Sequence, residues 1–399
     1  MASTILQGPP EQPATRTRLA LAVADASWFT TENLFRDLRR PDAATLLLKC
    51  LDYRNAWRAG GRPWSWGRAL DQDGPRLWRR DLVLPSGWMK TYPRWGMRPI
   101  RRAIHGWRSR CAPSGRLALV MTYPHYIYLR DMVRPDVQVY FNLDDYTLYW
   151  PRSAGQVEAL ERRLVGEADL TVCVSRARAE RLRAAVPGAA AKVRHLPHGT
   201  PSFALSAAPH AAPSAPPDDL AHLPRPLLGY VGSLEDRVDW VLLTRLAEAM
   251  PGASIVLVGR PPAPLSGDWH DDCRRCLARP NVHAIGWRPQ QDLVLYNRAF
   301  DVGLIPYLVD HPFNQACCPT KIMDTMGTGR PIVATALPEC RLYGHLFDVA
   351  EDQESFVAAV RRIVADGSDD GRAAARHEWA RENTCERVAG RLLDWLDQG

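Results

Sequence analysis

Two doubly wound α/β domains, each holding a largely parallel sheet, are what this sequence predicts, and three observations predict it. Short apolar runs alternate with stretches of helical periodicity, the pattern of βαβ units. The alternation stops at a Pro- and Ala-rich segment, PSFALSAAPHAAPSAPPDDLAHLPRP, and restarts after it. The chain has 399 residues, more than one hydrophobic core usually fills.

In the first half, Leu19–Ala24, Ala44–Leu48, Leu82–Leu84, Leu117–Met121 and Val137–Asn142 read as strands. A helix is expected from about Ala154 to Glu167, then a buried strand at Leu170–Val174, then a helix over Arg176–Ala185 with Ser175 as its N-cap. Residues 201–226 are the interdomain linker. After it, LLGYVGS, SIVLVG, VHAIG, DVGLIPY and PIVAT read as strands, with helices from about Trp240 to Met250, from about Gln290 to Phe300, and after Pro319. Glu354 to Gln398 reads as helices with Phe356, Val360, Ile363, Trp379, Val388, Leu392 and Trp395 on apolar faces. The expected domains are therefore 1–200 and 227–375, followed by a helical segment, 376–399, able to pack back on the first domain.

Composition points to a folded enzyme, with 46% hydrophobic and 24% charged residues. A net charge of +7 favours anionic partners. The basic residues are scattered arginines within amphipathic segments rather than a block, which argues against a nucleic-acid partner. The start, MASTILQGPPEQPATRTR, lacks the apolar core of a signal peptide, and no apolar run approaches the ~18 residues of a membrane span, so a cytoplasmic protein is expected. Nine irregularly spaced cysteines then read as free thiols. Cys273 and Cys276 form one CxxC without a second pair, so no metal site is expected, only a surface helix with two incidental thiols.

The segment CCPTKIMDTMGTGRPIVAT, residues 317–335, is the most informative. Pro319 suits the first turn of a helix, Thr320 can bond free amides there, and Gly327 or Gly329 ends it before the next strand. Such a helix end offers unpaired N–H groups to a pyrophosphate, and Lys321 adds a full charge. Asp324, three residues on, shares that face, where a carboxylate can accept from two ribose hydroxyls. The alternative is a plain surface ion pair between Lys321 and Asp324. The apolar strands on either side favour a ligand, because open α/β sheets bind at strand carboxyl ends.

On these residues the segment from NVHAIGW to ATALPE resembles the donor half of GT-B glycosyltransferases, particularly bacterial envelope enzymes akin to the teichuronic acid biosynthesis transferases and xanthan glucuronosyltransferase. VYFNLDDYTLYW, LERRLVGEADLTVCVSRARAERL and VRHLPHGTPSF resemble the first half of the same family, with His198 where the family has Asn. The resemblance implies a fold of two Rossmann-like domains facing a central cleft. It also implies a metal-independent transfer of a sugar from a nucleoside-diphosphate donor, UDP- or GDP-linked, to a glycan or polyprenyl-linked acceptor in envelope or exopolysaccharide synthesis. Lys321 would approach the distal phosphate and Asp324 hold the ribose. Gly232, Ser233, Arg237, Trp287, Tyr307, Pro319, Thr320 and Ile322 complete the implied donor site. The paired glutamates common in retaining members are absent, since Ala316 stands where the first would be.

An inverting transfer also needs a base for the acceptor hydroxyl. Asp144 and Asp145 follow a buried strand at the sheet's carboxyl edge, and either one can serve, with Asp144 favoured; the alternative is a pair of turn-forming aspartates. Trp28 and His125, after other strands, are candidate acceptor contacts, with structural packing as their alternative. Residues 87–110 mix Trp, Met and Ile with Arg and Lys, which suits either an anionic membrane surface or a solvated basic helix face. Two further functions use the same scaffold: a sugar-nucleotide epimerase, and a noncatalytic nucleotide-sugar-binding subunit.

Overall fold

The computed structural model describes residues 17–38, 40–58, 70–211, 216–260 and 269–398. The start of the chain and residues 212–215 of the expected linker lie outside them. The first sheet contains β1 (Leu19–Ala24), β2 (Ala43–Asp52), β3 (Asp71–Gly74), β4 (Leu77–Leu84), β5 (Arg116–Met121), β6 (Val137–Asn142), β7 (Leu170–Cys173) and β8 (Val193–His195), in the order β3-β4-β2-β1-β5-β6-β7-β8. β1 pairs in parallel with β2 and β5, while β3 and β4 are antiparallel. Every residue of β1 is buried, as a central parallel strand covered on both faces requires.

The second sheet contains β9 (Leu227–Val231), β10 (Ser254–Val258), β11 (Val282–Gly286), β12 (Val302–Ile305), β13 (Ile332–Thr335) and β14 (Asp348–Ala350), all parallel. Its order, β11-β10-β9-β12-β13-β14, is the Rossmann order, with the chain reversing its march across the sheet between β9 and β12. The crevice beyond the carboxyl ends of those two strands is where such sheets hold ligands. The helix Trp240–Ala249 covers one face, burying Trp240, Leu242, Leu243 and Leu246, and Asp239 caps it by accepting from the Leu242 amide at 2.8 Å.

The described residues divide into two compact units. One holds those up to Ser27, those between 40 and 121, and His125–Val139; the other holds Trp28–Leu38, Thr122–Pro124 and those from Tyr140 onward. The division passes through β6. Within the second unit the C-terminal helix, Cys385–Asp397, packs on the helix Phe29–Arg36. Phe356, Val360, Ile363, Val388 and Leu392 are buried as their periodicity predicts. Trp379 and Trp395 are half-buried, and the Arg194 guanidinium lies 5.2 Å from the Trp395 ring centre. Among the described residues no helix is long and apolar enough to cross a membrane.

Candidate functional site

A cavity of about 520 Å³ in the second unit opens at the carboxyl ends of β9, β10 and β12, a size ordinary for a small-molecule site. The backbone makes room for it. Gly232, just after β9, has φ +152°, and a Cβ there would sit 2.5 Å from Cε and 2.6 Å from Nζ of Lys321. Gly259, after β10, comes so close to Gly232 that a Cβ would lie 1.8 Å from the Gly232 carbonyl oxygen. Two glycines thus let the loops after β9 and β10 meet with Lys321 lying across them.

Lys321 belongs to the helix Thr320–Met326, whose N-cap is Pro319. No side chain caps that end, so Thr320 does not take the amide-binding role expected of it. With seven residues the helix has a small dipole, and the ammonium is the larger charge there. Lys321 Nζ donates to the Tyr307 hydroxyl and lies 5.1 and 4.8 Å from the ring centres of Tyr230 and Tyr307. Arg237 and Arg260 also line the cavity, and among the described residues no ion pair engages Lys321, Arg237 or Arg260. By contrast Arg288, on the same cavity, is held at 2.7 Å by Asp219. Asn314 fixes the loop that carries Arg237 by donating to the Arg237 carbonyl at 3.0 Å.

Asp324 keeps an opening onto the cavity, has no hydrogen-bond partner among the described residues, and is pushed up to about 7 by burial, partly offset by Lys321. Ser233, Trp287, Tyr307, Pro319 and Thr320 line the same cavity. Ile322 does not: its side chain is fully buried in the core, because at this helical position it points inward rather than toward the opening. Arg260 and His198 line the cavity although the sequence reading gave neither a role; burial pushes His198 down to about 4, so it stands there as a neutral imidazole. Arg260 follows SIVLVG with no motif to mark it, and its guanidinium lies 5.7 Å from the ring centre of exposed Trp287.

The adjacent aspartates part company. Asp145 is buried, N-caps the helix Tyr146–Tyr149 and accepts from Arg178 at 3.0 Å and Arg181 at 2.8 Å. Arg178 in turn binds Glu161 at 2.8 Å, so Asp145 belongs to a buried ion network away from the cavity. Asp144 lines the cavity, where its Oδ2 accepts from the Tyr149 hydroxyl at 2.8 Å and its Oδ1 from the Asp145 amide at 2.8 Å. Burial raises its carboxyl above the ordinary range, and the bond from Tyr149 works against that. Trp28 lines the cavity as well. His125 does not; it belongs to the first unit, is buried there, and is pushed down to about 4 by burial and by Lys90.

Among the described residues no group of three or more His, Cys, Asp or Glu side chains is placed to hold a metal ion. Cys273 and Cys276 are free thiols on the helix Trp269–Leu277, whose outer face exposes Asp271, Arg274 and Arg275; their spacing of three puts both thiols on the side that packs inward.

Residues 225–366 match the family model described as glycosyl transferases group 1. This segment is similar to group 1 glycosyltransferase domains. TuaH of Bacillus subtilis (strain 168), assigned as a teichuronic acid biosynthesis glycosyltransferase, is 26% identical over 159 residues, and the match spans 39% of each protein. The fold matches sucrose-phosphate synthase from Thermosynechococcus elongatus with a TM-score of 0.71 at 16% identity, over 96% of this chain and 99% of that one. It also matches Anabaena HepE in complex with UDP (0.64, 14%, over 96% and 100%) and an α,α-trehalose-phosphate synthase (UDP-forming) from Burkholderia vietnamiensis (0.63, 12%, over 96% and 100%). The architecture is therefore the GT-B fold, two parallel-sheet α/β domains in one chain.

Proposed function

We propose that the protein transfers a sugar from a nucleoside-diphosphate donor to a hydroxyl of a glycan or polyprenyl-linked acceptor in envelope or exopolysaccharide synthesis. The observation that carries this reading is the cluster of three cations without ion-pair partners, Lys321, Arg237 and Arg260, in one cavity with the unpartnered Asp324. Cations left without carboxylates in a half-enclosed site call for an anion of comparable charge. A nucleoside diphosphate supplies it: Lys321 and Arg237 take the phosphates, Asp324 the ribose hydroxyls, and Trp287 beside Arg260 offers a face to the base. UDP is the first candidate, since it is the nucleotide bound in the HepE structure.

In the transfer, the acceptor oxygen bonds to the anomeric carbon as the bond from that carbon to the phosphate oxygen breaks. The leaving pair ends on the diphosphate, where Lys321 and Arg237 stabilise the growing charge. Asp144 receives the acceptor's proton. Residues 87–110 support an approach to anionic lipid at the inner face of the cell membrane: Arg94, Arg98, Arg101 and Arg102 border one surface groove, with Trp95 and Tyr92 exposed beside it.

A melting screen against UDP, GDP, TDP and ADP sugars tests the donor reading, because a ligand bound by the native state raises the melting temperature. One nucleotide class should raise it, and none doing so would refute the reading. Co-sedimentation with vesicles containing phosphatidylglycerol tests the membrane reading, with binding expected to fall as salt rises.

A further inference from the structure

The part of the cavity around Asp144 differs in chemistry from the part around Lys321. Trp28 and Tyr149 line it while remaining 41% and 38% exposed, a cost a protein does not usually bear without an occupant. They are also held in place. Trp28 Nε1 donates to the Tyr123 hydroxyl at 2.6 Å, and the Trp28 and Tyr149 rings meet edge to face at 6.5 Å. Tyr149 packs against Phe313 at 5.0 Å and 83°, and its hydroxyl donates to Asp144. A fixed aromatic surface beside a carboxylate suits a ligand with an apolar face and a polar rim.

A pyranose ring is such a ligand: one face presents C–H bonds to an aromatic ring while hydroxyls project from the edge. A phosphate in the same place would meet the carboxylate of Asp144, with the unpaired cations already engaged by the donor. We propose that Trp28 and Tyr149 form a stacking platform for an unphosphorylated saccharide ring of the acceptor, with Tyr149 also acting as a positioning residue that holds Asp144 toward the ring's hydroxyls. This rests on the transferase reading above and narrows it to a glycan terminus, rather than a lipid phosphate or sugar phosphate, as the group that receives the sugar.

The test uses the full chain saturated with UDP on an array of neutral oligosaccharides, with hexose phosphates and polyprenyl phosphate vesicles alongside. At least one neutral oligosaccharide should bind, and Trp28→Ala should weaken it at least tenfold while UDP affinity stays unchanged, which also certifies folding. With the donor found by the melting screen, Tyr149→Phe keeps the ring and should leave the acceptor KM unchanged. It should move the acidic limb of the kcat profile to higher pH, since the lost hydrogen bond favoured the ionised Asp144. Tyr149→Ala should raise KM as well.

A wild-type protein that binds UDP but no neutral glycan, or only the phosphorylated or polyprenyl probes, overturns the proposal. So does retention of glycan affinity in Trp28→Ala. Failure to bind any nucleotide would instead strike the donor reading.

Discussion

Four charged groups that follow β9, β10 and β12 and line the cavity stay without ion-pair partners among the described residues, whereas both aspartates after β6 are held by hydrogen bonds. Lys321, Arg237, Arg260 and Asp324 have no ion-pair partner among the described residues, while Asp144 is held by Tyr149 and by a backbone amide, and Asp145 by two arginines. The difference teaches what each region is built for. Open charges suit a region that a charged ligand completes, and closed hydrogen bonds suit one where a group keeps its orientation without a ligand.

The contrast breaks most sharply at the two aspartates. Asp144→Asn should lower turnover by about 10²–10⁴-fold, the range for a proton-transfer group, with UDP affinity and melting temperature near wild type, as steady-state kinetics and calorimetry would show. Asp145→Ala should instead cost about 3 kcal/mol of stability in a urea titration, because it strips one carboxylate from buried Arg178. Equal effects of the two substitutions would erase the distinction.

Gly232→Ala comes next: the added methyl must displace Lys321, and a penalty of about 1–3 kcal/mol in UDP binding is expected by titration calorimetry. The smallest effect concerns Asp324. Its carboxyl is raised to about 7 from 3.8, so the folded state holds its proton more tightly than the unfolded chain. Its contribution is fully favourable below about pH 4 and is lost as pH rises through 7. Asp324→Asn should therefore raise the ligand-free melting temperature at pH 8, with the gain shrinking toward pH 4, while weakening UDP binding.

Much of this was legible in the sequence, and the exceptions have physical reasons. β1 and β6 were read to the residue because buried parallel strands are continuous apolar runs. Only Leu82–Leu84 of β4 was read, since Arg79, Arg80 and Asp81 interrupt it, and β3, Asp-Gln-Asp-Gly, is polar because it lies at an edge. β8 and β14 have three residues each, too few to show a period. At the cavity, Lys321 and Asp324 were legible because helical spacing puts them on one side. Asp144, the favoured one of the two aspartates, lines the cavity, but the partners that aim the pair apart were not legible, because Arg178 lies 33 residues from Asp145. The place of His125 depended on a third dimension that strand order alone does not supply.

The central claim is that Lys321, seated across Gly232, binds the phosphates of a nucleotide. Isothermal titration of UDP into wild type and Lys321→Ala addresses it most directly, with GDP, TDP and ADP run in parallel. One nucleotide should bind the wild type, and the variant should lose at least thirtyfold in affinity while its unfolding transition stays intact. A folded Lys321→Ala protein that binds that nucleotide as tightly as wild type would contradict the account.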